Sequence, residues 1–272
     1  MLKNAFHLLL HDRKQFAFLT RKKIMARWCD CWSGSGFYFQ ARMDIDQKSW
    51  WHSTDIVTAT GGYLVRGDGV KRQVLPLESW DTVRRDMIVL LLRDLIARKV
   101  DGEMAELGVF RGYSARVIHH YMPERKLYLF DTFKGFDERD IQAEREVTGR
   151  GAQTGDFAQT GVDLAVKNIS PQNANVQVFP GFFPESAPDW LKDRKFAFVH
   201  LDADLYEPML AGLKYFYHRM SAGGFILAHD YNAWPGSRRA VEEFFNNKPE
   251  IPIPMPDKSG SVLINKLPER AS

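Results

Sequence analysis

Four short apolar runs in this chain each carry or end on an acid, and that repetition narrows the folds open to it. Met104–Leu107 holds Glu106, Lys126–Phe130 runs onto Asp131, Phe196–Leu201 onto Asp202, and Phe225–Ala228 onto His229-Asp230. Runs this short and this continuously apolar read as strands buried on both faces. Helical periodicity fills the intervals. Val83–Ala97 follows the N-cap chemistry of Ser79-Trp80-Asp81-Thr82. Gly112–Tyr121, Tyr206–Met220 (stopped by Ser221-Ala222-Gly223-Gly224) and Arg238–Phe245 complete the helices. Val176–Phe179 and Ser261–Asn265 add two more strands. Strands alternating with helices predict an α/β fold of the Rossmann-like kind, a mostly parallel sheet with helices on both faces. Ligands bind such open sheets beyond the carboxyl ends of the strands, so the acids place function at that edge.

The chain divides near residue 80. Residues 1–79 carry clustered tryptophans (Trp28, Trp32, Trp50, Trp51) and weak periodicity, and are expected to form an extension that serves as acceptor lid or dimer contact. Residues 80–272 form the main domain. A formal charge of +3 lacks the dense basic stripe of a nucleic-acid binder, and the basic residues among the first 27 read as a solvated face. The only cysteines, Cys29 and Cys31, are too close to close a useful loop and too few for a zinc site, which fits a reducing cytoplasm. Ala5–Leu10 is too short for a secretory segment, and no run approaches the roughly 20 apolar residues of a membrane span.

The loop Glu106-Leu107-Gly108-Val109-Phe110-Arg111-Gly112 joins the first strand to its helix. A dinucleotide site would need glycine where Phe110 stands, so the backbone approach required by a pyrophosphate is blocked. Exposed N–H groups at a helix N-terminus still suit a small anion such as an amino-acid carboxylate. Asp131, one βα unit on, is placed to accept the hydroxyls of a ribose. Carboxylate at one end and ribose at the other describe S-adenosylmethionine.

These motifs then recur in a specific order. Glu106–Gly112 is followed by Leu129–Phe136 (Leu-Phe-Asp-Thr-Phe-Lys-Gly-Phe), Leu201–Glu207 (Leu-Asp-Ala-Asp-Leu-Tyr-Glu) and Ser221–Tyr231 (Ser-Ala-Gly-Gly-Phe-Ile-Leu-Ala-His-Asp-Tyr). Over about residues 80–245 the set resembles the macrocin O-methyltransferase family (TylF/MycF), which methylates sugar hydroxyls of macrolide antibiotics. The resemblance implies that Glu106, Gly108 and Gly112 shape the methionine end of the cofactor site and that Asp131 holds the ribose. It also implies that Gly155-Asp156-Phe157 and Gly181-Phe182-Phe183 border the adenine. Core packing is the competing reading of Phe157 and Phe183.

An alcohol is a poor nucleophile until its proton is removed, and a divalent metal with a nearby carboxylate can do that. The resemblance implies Asp202 as metal ligand and base, Asp230 as a second ligand, and Mg²⁺ as the ion. The family pairs two acids at the second motif, whereas this chain has His229-Asp230. His229 is open between base, metal neighbour and buried histidine. Asp204 reads first as a helix cap, His200 as a buried strand residue and Tyr206 as packing. The expectation is an O-methyltransferase acting on a small-molecule hydroxyl of a sugar or glycoside, assembled as a homo-oligomer. The alternatives are a catechol-type O-methyltransferase and a non-catalytic cofactor-binding module.

Overall fold

The computed structural model describes residues 81–169 and 175–268, so the expectations for residues 1–79 lie outside the described residues. Helix α1 spans Thr82–Ala97, with Asp81 as N-cap accepting from the Arg84 N–H. Strand β1 (Glu103–Leu107) leads to α2 (Tyr113–Tyr121), then β2 (Leu127–Asp131), α3 (Glu138–Thr148) and β3 (Thr154–Phe157). The chain continues through α4 (Val162–Ile169), β4 (Val176–Pro180), β5 (Phe196–Leu201), α5 (Tyr206–Phe216), β6 (Met220–Ala228), α6 (Pro235–Phe245), β7 (Ile253–Pro254) and β8 (Val262–Asn265).

The sheet has seven strands in the order β4-β2-β1-β5-β6-β8-β7, all in one direction except β8, which is antiparallel to both of its neighbours β6 and β7. Alternation along each strand feeds two cores. Ala105, Tyr128, Phe130, Val199, Leu201, Ile226 and Ala228 face one side and pack with Met209, Leu213 and Phe216 of α5 and Val241 and Phe245 of α6. Met104, Leu127, Leu129, Phe198 and Leu227 face the other and meet Ile88, Leu92 and Leu95 of α1 and Val117 and Ile118 of α2. Two covered faces explain the unbroken apolar runs in the sequence.

From β1 the chain runs outward through β2 and β4, then returns to β5 on the other side of β1 and moves away through β6. The strand order therefore reverses between β1 and β5, and the crevice above that point is the ligand position of such sheets. Asp131 and Asp202 stand on either side of it, each one residue past the partners of Leu107 on β2 and β5, while Glu106 lies lower, level with Leu129 and His200.

Two elements differ from the sequence reading. Helix α5 stops at Phe216, a single 3₁₀ turn (Tyr217–Arg219) follows, and Met220 already pairs with Phe196 as the start of β6. The Gly223-Gly224 pair therefore lies in a strand bulge, between the pairings of Met220 and Phe225, rather than capping a helix. The polar, glycine-bearing stretch 137–160, whose composition reads as a mobile lid, contains α3, whose Ile141 packs with Leu205, Phe136 and Trp234.

Candidate active site

A cavity of about 560 Å³ opens above the β1–β5 reversal, within the usual size range of small-molecule sites. Gly108, Asp131, Phe157, Gly181, Phe183, Asp202, His229 and Asp230, all singled out from sequence, lie in its wall. Glu106 and Gly112 do not.

Gly108 has φ +86°, and a Cβ there would sit 1.9 Å from the Asp202 carbonyl oxygen, so only glycine lets the two loops close on each other. The Asp131 carboxylate fixes this loop. Its Oδ2 accepts from the Val109 and Phe110 N–H groups at 2.8 Å each, and its Oδ1 accepts from the Phe133 N–H at 2.6 Å. The N–H groups expected to bind a ligand carboxylate thus already hold an anion of the protein. Oδ1 keeps an acceptor position for a ribose hydroxyl.

Glu106 is fully buried beneath the loop, with Oε1 2.7 Å from His200 Nδ1 on β5. Its outer oxygen and His200 Nε2 have no partner among the described residues. It ties β1 to β5 and is not part of the cavity wall. Gly112 is the left-handed N-cap of α2. Phe183 is core, stacked 5.7 Å from Phe216 and edge-on to Phe130. Phe157 is 44% exposed and belongs to an aromatic row in which it meets Phe110 and Phe136, and Phe136 meets Trp234.

The acidic end is built by β5, β6 and α1. Asp202 Oδ1 lies 2.7 Å from His229 Nδ1, and Asp202 Oδ2 accepts from the Arg84 guanidinium at 2.6 Å. Asp230 Oδ2 lies 2.8 Å from the same imidazole nitrogen, while His229 Nε2 donates to the Lys258 carbonyl at 2.9 Å. Burial alone would lower His229, but Asp202 and Asp230 push it up to about 11. Burial would raise Asp202, yet His229 and Arg84 outweigh that and hold its carboxyl well below the usual range. Asp204 goes the other way, pushed well above the usual range by burial and by Asp230 and Asp202 beside it. An imidazole that donates from both nitrogens at neutral pH is a cation. That leaves the role of base to the carboxylates.

Phe110, Phe157, Asp204, Asp230 and Ser259 all have positive φ and all line the cavity. Strained backbone of this kind gathers at functional sites.

Sequence reasoning missed Arg84, Asp140, Glu144 and Trp234. The one available signal for Arg84 was a helix whose first turns hold Asp81, Arg84, Arg85 and Asp86, charges costly to bury unless paired.

The family model for macrocin-O-methyltransferase (TylF) matches residues 81–261. The chain belongs to this family. Among curated relatives, the demethyldecarbamoylnovobiocin O-methyltransferase of Streptomyces niveus is 26% identical over 170 residues, 59% of this chain and 64% of that protein. The mycinamicin III 3''-O-methyltransferase of Micromonospora griseorubida is 28% identical over 160 residues, 53% of this chain and 61% of its own length. The chain thus matches less than two thirds of either relative. Among solved structures, the O-methyltransferase NovP is 22% identical with a TM-score of 0.56, covering 68% of this chain and 80% of that one. The calicheamicin methyltransferase CalS11 is 22% identical with a TM-score of 0.51, covering 67% and 80%. At this identity the likeness shows that the TylF-family chain shares their fold.

Proposed function

We propose that this chain transfers the methyl group of S-adenosylmethionine to a hydroxyl of a sugar or glycosylated metabolite. The observation that carries the reading is one cavity joining the Asp131-clamped loop to the carboxylates of Asp202, Asp204 and Asp230. Relatives named for O-methylation of glycosylated natural products support the substrate class.

Bound adenosylmethionine supplies a methyl group on a sulfonium, which passes in line to the acceptor oxygen as the S–C bond breaks. The protein's part is to position the donor and acceptor and to take the proton. Asp131 Oδ1 receives a ribose hydroxyl, and Phe110 and Phe157 wall that end. Asp202, kept ionised by Arg84 and His229, accepts the proton of the acceptor hydroxyl. Its basicity is low, but a hydroxyl oxygen gaining a third bond, to the methyl carbon, takes on oxonium character and becomes a strong acid, so a weak carboxylate base suffices.

The acidic end also fits a divalent ion. Donor atoms of Asp202, His229 and Asp230 lie within 4.8 Å of one another. Arg84 on the far oxygen of Asp202 and the Lys258 carbonyl on His229 Nε2 orient them from outside, as supporting groups do at metal sites. Those three residues would hold the ion, which would supply charge to acidify the acceptor hydroxyl. Nδ1 must give up its proton to ligate, and a nitrogen donor suits a transition-metal ion better than Mg²⁺.

Asp131→Ala tests the cofactor half. Affinity for adenosylmethionine should fall by about 1.5–3 kcal/mol, the worth of charge-assisted hydrogen bonds. Calorimetric titration checks it, and unchanged affinity would remove Asp131 from the site.

A further inference from the structure

Among the described residues the Asp140 carboxylate has neither a donor nor an ion-pair partner, a condition it shares in the cavity wall with Asp204, which lies against Asp230. Asp140 is only 7% exposed, sits in the first turn of α3 and lines the cavity together with Phe136, Phe182 and Trp234. The nearest cation is engaged elsewhere. Arg139 donates to both carboxylate oxygens of Asp137, and its guanidinium lies 3.6 Å over the Phe182 ring.

We propose that Asp140 recognises a protonated amine on the acceptor, so that the sugar or glycoside methylated here bears an amino group. The inference rests on the sugar-methylation reading and names its substrate class. A poorly solvated carboxylate without a donor is costly, and burial with Asp137, Glu207 and Glu185 nearby outweighs the neighbouring Arg139 and pushes this one up to about 7. A bound ammonium offsets that cost and lets the group ionise, which a neutral hydroxyl does only in part. The rest of the wall agrees. Seven aspartates line the cavity against four basic side chains. The faces of Trp234 and Phe136 also attract cations. A purely helix-stabilising acid at this turn would gain most from staying in water, and Asp140 does not.

The test uses the full chain and two probes that differ at one atom: a methyl 3-amino-3,6-dideoxyhexopyranoside and its 3-hydroxy twin. Binding is measured by calorimetry with S-adenosylhomocysteine present. The wild type should bind the amine at least about tenfold more tightly than the hydroxyl twin. Asp140→Asn should erase that preference without lowering thermal stability or adenosylmethionine affinity. Equal binding of the twins by the wild type, or binding of neither, overturns the proposal. So does loss of cofactor affinity in Asp140→Asn, which would make Asp140 a cofactor residue. A wild type that does not bind adenosylmethionine at all would overturn the parent reading instead, and that titration is run first.

Discussion

Asp202→Asn should bind adenosylmethionine as the wild type does and lose about 10²–10⁴-fold in turnover, the usual worth of a positioned base. The amide keeps the shape and one oxygen of the carboxylate. It loses the charge that sits 2.7 Å from His229 Nδ1 and 2.6 Å from Arg84. Two cations then face a neutral group, and nothing at that point takes the acceptor proton. Because the cofactor is held mainly at the β1 and β2 ends, a titration separates lost chemistry from lost binding. Turnover within threefold of wild type would take the proton-accepting role away from Asp202.

Glu144→Ala should cost about 3 kcal/mol of stability, since buried donors left without an acceptor cost about 1–3 kcal/mol each. Glu144 lies on α3, fully buried, and its carboxylate closes three elements on one another. Oε2 accepts from the Tyr206 N–H at the start of α5, and Oε1 accepts from the Gly236 N–H in the first turn of α6 and from Thr148. Two helix N-termini thus share one anion, the placement their dipoles favour. Gly236 is required for it, because a Cβ there would lie 1.8 Å from Glu144 Oε2. A loss of that size lowers the melting temperature by about 6–12 °C in a domain of this length. Differential scanning calorimetry reads it directly. A shift under about 2 °C would mean that α3 is held by its apolar face alone.

The sheet was legible because its strands obey a simple rule. Runs buried on both faces have to be apolar, and most could be placed within a residue or two, the exception being β6, which begins at Met220, five residues before its apolar run. The Gly223-Gly224 pair misled because glycine stops a helix and bulges a strand with equal ease, and only the pairing of Met220 with Phe196 decides between them. In the site, Asp131 and Asp202 were readable from position alone, since a strand-end acid at a switch point has few other uses. Glu106 shared that position, yet its side chain turns under the loop to His200, a partner 94 residues away that no local pattern encodes. Arg84, Asp140 and Glu144 were hidden for a related reason. A charged residue on a helix reads as solvated until the tertiary packing that buries it is known.

The most direct measurement is transfer of a labelled methyl group from adenosylmethionine by the full chain to the two twin glycosides, with and without a strong chelator. The account predicts label on a sugar hydroxyl, a rate that falls in chelator and returns with a divalent transition-metal ion, and almost no transfer by Asp202→Asn. Tight binding of adenosylmethionine with no label on either glycoside would contradict it.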